Sequence, residues 1–110
     1  MISYQIDKAK WIKMSIFDQM GNISSEVGRA INAKQQNDIN RLDKVVIRAV
    51  DLFDTTINEL TKSKSIRLKE VLRSKEQFLS VITSQNPSPK ELNSLDRYFT
   101  QFAIASRLNK

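Results

Sequence analysis

The sequence predicts an all-α protein, and three observations carry that prediction. Its 110 residues include only two glycines and two prolines, too few for the many turns of a sheet built from short strands. Apolar residues recur every three or four positions through most of the chain, drawing stripes along helices rather than alternating strand faces. The clearest loop, Ser84-Gln85-Asn86-Pro87-Ser88-Pro89, comes late, after long segments with no comparable break. The architecture expected is an up-down-up-down four-helix bundle with a long first helix, forming a single domain over residues 1–110.

The first helix is expected from about Ser3 to Gln36. Ala9, Ile12, Ile16, Met20, Ile23, Val27 and Ala30 make one continuous stripe, and Met14, Phe17, Gly21, Ser24, Gly28 and Ile31 make a second beside it. About 34 residues at a 1.5 Å rise would reach roughly 50 Å, so the helix either kinks near Gly21 or projects from the bundle. A projecting end with Trp11, Ile12 and Ile16, together with the close approach allowed by Gly21 and Gly28, points to a homo-oligomer interface. The plainer reading of Gly21 and Gly28 is close packing of a neighbouring helix. Trp11 and Tyr98 read first as packing residues, although Lys8, Lys10 and Lys13 around Trp11 also suggest a small basic-aromatic site.

Asn37 or Asp38 is placed to cap a second helix over about Ile39–Leu60, whose broad apolar face suits burial between two neighbours. Thr61 to Ser65 then connects to a third helix, about Ile66–Thr83. Ser88-Pro89-Lys90-Glu91 matches a capping box, with proline at the first helical position. It opens a fourth helix over about Pro89–Leu108, with Leu92, Leu95, Tyr98, Phe99, Phe102, Ala105 and Leu108 inward.

Function must come from charge, because the residues of common catalytic chemistry are missing. The chain has no histidine and no cysteine, which excludes serine–histidine triads, thiolate nucleophiles and imidazole or thiolate zinc sites. Glu26, Asp51 and Asp54 are the carboxylates worth checking for a metal site, yet each also suits a surface ion pair. No metal, cofactor or enzymatic activity is expected. There is no membrane-spanning run and no secretory signal, so the expected location is cytoplasmic.

The net charge of +6 is instead concentrated. Lys62, Lys64, Arg67, Lys69, Arg73 and Lys75 lie within fourteen residues against the single acid Glu70. Such a field attracts polyanions, since phosphate contacts release condensed counterions. These six residues are the candidate nucleic-acid-binding set, for RNA or DNA, with solvation of a surface helix as the plain alternative. No aromatic residue is interleaved among them, so base stacking is expected to be weak.

The segments Met20-Gly21-Asn22-Ile23-Ser24-Ser25-Glu26-Val27-Gly28-Arg29-Ala30-Ile31, Val50-Asp51-Leu52-Phe53-Asp54-Thr55-Thr56-Ile57 and Arg67-Leu68-Lys69-Glu70-Val71-Leu72-Arg73 resemble a prokaryotic family of small helical proteins. In size and charge the chain is also similar to the four-helix-bundle proteins encoded in ribosomal RNA intervening sequences, relatives of the accessory protein of diversity-generating retroelements. That resemblance implies an oligomeric, non-enzymatic bundle that binds nucleic acid and assists a larger catalytic partner such as a reverse transcriptase. The helical partners of minimal nucleotidyltransferases are a second resemblance. It implies a helical partner of a nucleotidyltransferase-type system, without the Arg-x4-His motif of the related nucleases, since histidine is absent. A structural or protein-binding adaptor that recognises an acidic surface is the competing class.

Overall fold

A computed structural model describes residues 7–108. They form five helices: α1 (Lys8–Ile12), α2 (Ile16–Gln35), α3 (Ile39–Lys62), α4 (Leu68–Ile82) and α5 (Pro89–Leu108). There is no strand among the described residues. The all-α class is as expected, and the helix count corrects the expected four.

The difference lies in the first helix. It is not continuous from Ser3 to Gln36, of which residues 3–6 lie outside the described residues. The chain breaks at Lys13–Ser15 rather than kinking at Gly21. Local hydrogen bonds explain the break. Asp7 caps α1 by accepting from the Lys10 N–H at 3.1 Å, and Ser15 caps α2 by accepting from the Asp18 N–H at 3.1 Å. The buried Gln19 amide donates to the carbonyls of Trp11 (2.9 Å) and Met14 (3.3 Å), which satisfies backbone groups that the missing helical turn leaves open. With α1 turned aside, the longest dimension is 37 Å, well short of the roughly 50 Å a single straight helix would reach.

Trp11 is therefore not on a projecting end. Its ring is buried and its Nε1–H donates to Thr56 Oγ1 on α3 at 2.9 Å. This indole anchors α1 against α3.

The other helix ends follow their local chemistry. Asp38 caps α3 by accepting from the Arg41 N–H at 3.2 Å. Asn37 just before it takes φ 55°, closing α2 with a Schellman pair from Asp38 N–H to Ala33 O and from Asn37 N–H to Lys34 O. The capping box is reciprocal: the Glu91 N–H donates to Ser88 Oγ at 3.1 Å, and the Ser88 N–H donates to Glu91 Oε1 at 3.2 Å. The third expected helix starts later than Ile66, which lies in a turn with its side chain almost wholly exposed. Leu108 also departs from expectation, being exposed rather than inward.

Helices α2, α3, α4 and α5 each pack on the next, and α5 returns to α2, so one core runs down the middle. Phe53, Phe78 and Phe99 fill its centre, with ring centroids 5.9, 6.2 and 6.4 Å apart. The α2–α5 seam is close because its residues are small. A Cβ added to Gly21 would lie 2.9 Å from Ser106 Cβ, while Ser24 Oγ donates to the Phe99 carbonyl at 2.9 Å. Ser106 Oγ donates to Asp18 Oδ1 at 2.7 Å across the same seam, so Asp18 belongs to it rather than to a solvated face. The plainer reading of Gly21 is the structural one: its close neighbour is α5 of the same chain. Nothing lies within 4 Å of a Cβ at Gly28.

Candidate nucleic-acid interface

The basic segment begins at the α3–α4 turn. Lys64 sits at φ 53°, a left-handed conformation usually taken by glycine, and the turn closes with Ser65 N–H to Leu60 O (3.0 Å) and Lys64 N–H to Thr61 O (3.2 Å). Ser65 Oγ then accepts from the Arg67 N–H at 3.1 Å. These bonds fix a tight corner from which Lys62 and Lys64 project into solvent.

Arg67 meets an aromatic ring at this corner. Its guanidinium carbon lies 4.9 Å from the centroid of Phe17 on α2. A cation held over a ring face gains about 0.5–1 kcal/mol at an exposed site. The guanidinium N–H groups lie in the guanidinium plane, so contact through its face leaves donors at its edges for a phosphate.

Beyond the corner the six cations divide. Lys69 and Arg73, one helical turn apart on α4, line a groove of about 570 Å³ against Tyr98, Gln101 and Phe102 of α5, with Ile66 and Glu70 completing the walls. Neither Lys69, Arg73 nor Lys64 takes part in an ion pair among the described residues. Lys75 points the other way, donating to Asp54 Oδ1 on α3 at 2.6 Å. Lys62 lies 3.8 Å from Glu59, a weak exposed pair that is readily exchanged for another partner. The structure thus brings Lys64, Arg67, Lys69 and Arg73 onto the corner and the groove. It sets Lys75 apart.

Tyr98 is half-buried and held edge-on by its neighbours, with centroids 5.3 Å from Phe99 and 5.6 Å from Phe102. Burial pushes its phenol above the ordinary tyrosine value, Glu70 adds to the rise, and Arg73 partly offsets it. Tyr98 therefore stays a neutral ring and hydrogen-bonding hydroxyl near neutral pH.

Two aromatic partners escaped the sequence reading, Phe17 beside Arg67 and Tyr98 beside Lys69 and Arg73. The expectation that no aromatic accompanies the cluster holds along the chain and fails in space. The Tyr98-Phe99-x-x-Phe102 run is the available signal, with Tyr98 reading first as a packing residue and a stacking role as the alternative. Conversely, the Lys8–Lys10–Lys13 group loses its aromatic element, because the Trp11 ring is inside.

Two of the three candidate carboxylates, Glu26 and Asp54, have ordinary partners. Glu26 accepts from Arg29 at 2.9 Å and from Arg48 at 3.3 Å, and Asp54 is held by Lys75. No group of three potential ligands able to hold a metal occurs among the described residues. No helix there is long and apolar enough to cross a membrane. Of the oligomer candidates, Trp11 is buried, Ile16 is half-buried against the core, Gly21 meets α5, and Ile12 is 46% exposed. Comparisons with protein-family models, with curated proteins and with solved structures return no match for this chain.

Proposed function

We propose that this chain is a non-enzymatic nucleic-acid-binding protein that grips phosphates through Lys64, Arg67, Lys69 and Arg73, with Lys62 at the edge. The observation that carries this reading is that Lys64, Arg67, Lys69 and Arg73, at the α3–α4 corner and along α4, make no ion pair among the described residues. Lys69 and Arg73 line one groove while α4 keeps Val71, Ser74, Phe78 and Ile82 in the core. Cations held on a folded scaffold attract a polyanion without first having to be ordered. The resemblance to intervening-sequence and retroelement accessory proteins adds a larger catalytic partner, such as a reverse transcriptase, and a homo-oligomeric assembly in the cytoplasm. The short connections support an up-down-up-down order for α2 to α5.

A second reading is a structural adaptor that binds another protein, supported by Ile39, Ile47 and Ile104, which are 68%, 62% and 45% exposed. The two are separated by titrating RNA, duplex DNA and anionic vesicles at several salt concentrations. Nucleic-acid affinity should fall with salt at a logarithmic slope of about −0.7 to −0.9 per phosphate contact. Replacing Arg67, Lys69 and Arg73 by Gln should flatten that slope by roughly two to three units with the helical signal unchanged. A salt-independent interaction, or normal binding by the triple variant, removes the phosphate reading and leaves the adaptor.

A further inference from the structure

We infer that the groove between α4 and α5 takes a single strand of nucleic acid, with a base stacked on Tyr98 while Lys69 and Arg73 hold the flanking phosphates. This rests on the phosphate-binding reading and specifies the form of its ligand. Lys69 and Arg73 stand about 6 Å apart along the helix axis, on the same wall. Opposite them, Tyr98 and Phe102 supply aromatic surface and Gln101 supplies an amide. That alternation of cations with an aromatic ring is the surface a single strand requires, because every base has a face to stack and every sugar carries a phosphate.

The ring is prepared for this use. Edge-on contacts at 85° to Phe99 and 86° to Phe102 hold it in one orientation, so little side-chain freedom is lost when a base arrives.

Glu70 argues against a duplex. Its carboxylate lies inside the groove, where it repels a phosphate but can accept from an exocyclic amino group of a base. A duplex offers this wall chiefly phosphates and keeps its base faces stacked within. An unpaired strand can turn its bases toward Tyr98, Glu70 and Gln101 and its phosphates toward Lys69 and Arg73. Phe17 with Arg67 continues the same cation-and-ring pairing at the α3–α4 corner.

The test compares three probes of equal length: a single-stranded oligothymidylate, a duplex, and a strand of abasic sugar-phosphates. Each is titrated at low and at moderate salt against the wild-type chain, Tyr98→Phe and Tyr98→Leu. The single strand should bind roughly 5- to 150-fold more tightly than the abasic strand, corresponding to about 1–3 kcal/mol of stacking. Tyr98→Leu should remove that advantage, and Tyr98→Phe should retain it. A 2-aminopurine placed in the strand should be quenched on binding to the wild-type chain, a readout that stands even if the leucine variant folds poorly. Equal binding of all three probes with no quenching overturns the single-strand inference and leaves the phosphate reading in place. Absence of salt-dependent binding to any probe overturns both.

Discussion

Helix α5 lies between α2 and α4, and it meets them in different ways. Toward α2 small residues bring the two helices close, Gly21 and Ser24 on one side and Ser106 and the Phe99 carbonyl on the other, although a groove of about 440 Å³ still runs beside Gly21 and Ser106. Toward α4 the long residues Lys69, Glu70, Arg73, Tyr98 and Gln101 leave an open groove. Side-chain length decides the difference. Small residues let the helices approach until serine hydroxyls bond across the seam, whereas long charged ones resist desolvation and so keep the surfaces apart. The first seam is the tighter of the two, and the second is where cations and an aromatic ring share one groove.

The comparison can be broken by substitution, and the largest effect is expected behind both contacts. Phe99→Ala empties the centre of the aromatic cluster and should cost about 3–5 kcal/mol in urea unfolding. If the loss stayed below about 1 kcal/mol, the core would not be the joint support of both faces.

The two glycines of α2 sharpen the point, because identical substitutions should have opposite signs. Gly21→Ala drives a methyl to 2.9 Å from Ser106 Cβ, and overpacking of about 1–3 kcal/mol outweighs a helix-propensity gain of up to about 1 kcal/mol. Gly28→Ala meets nothing within 4 Å and should stabilise by about 0.5–1 kcal/mol. Thermal melts of both variants suffice. Equal shifts would mean that the seam is not tight at Gly21.

Lys64→Gly relieves the left-handed conformation at the α3–α4 corner and should add a few tenths of a kcal/mol, since the greater freedom of unfolded glycine offsets part of the gain. The same change should reduce the salt slope of binding by about one unit. A more stable variant that binds less well would identify Lys64 as strained in the service of binding.

The smallest effect concerns pH. Because folding raises the Tyr98 phenol, the folded state holds that proton more tightly than the unfolded chain. Its contribution is therefore intact below the unfolded tyrosine value, about 10, and is lost as pH rises beyond it. Tyr98→Phe should lessen the alkaline loss of stability measured by urea titration. An unchanged alkaline profile would show that the phenol is insensitive to Glu70 and to its burial.

Much of the helical scaffold was legible because its signals are short-range. Asp38, Ser88, Pro89 and Glu91 act within one turn of themselves, and α5 spans the residues expected of it. The break at Ser15 was written equally locally, in Ser15-x-x-Asp18. It was overridden because Ile12 and Ile16 keep the apolar stripe in phase across the gap. Periodicity reports which face is apolar, not whether the backbone is continuous. The groove was not legible at all. Lys69 and Tyr98 are brought together by the mutual packing of α4 and α5, which no spacing within either helix encodes. Likewise the pairing of Lys75 with Asp54 spans two helices, so the basic run read as one patch although its last member faces elsewhere.

The anchoring of Trp11 by Thr56 has a consequence for the order of events at the ribosome. The indole is made 45 residues before the hydroxyl that receives it. At roughly 5–20 residues per second, about 2–9 seconds pass between the synthesis of one and of the other. Until α3 emerges, the indole has no native hydrogen-bond partner. Segment α1 is thus made before the helix that secures it, and in that interval Trp11 is free to be held by a chaperone or by a neighbouring nascent chain.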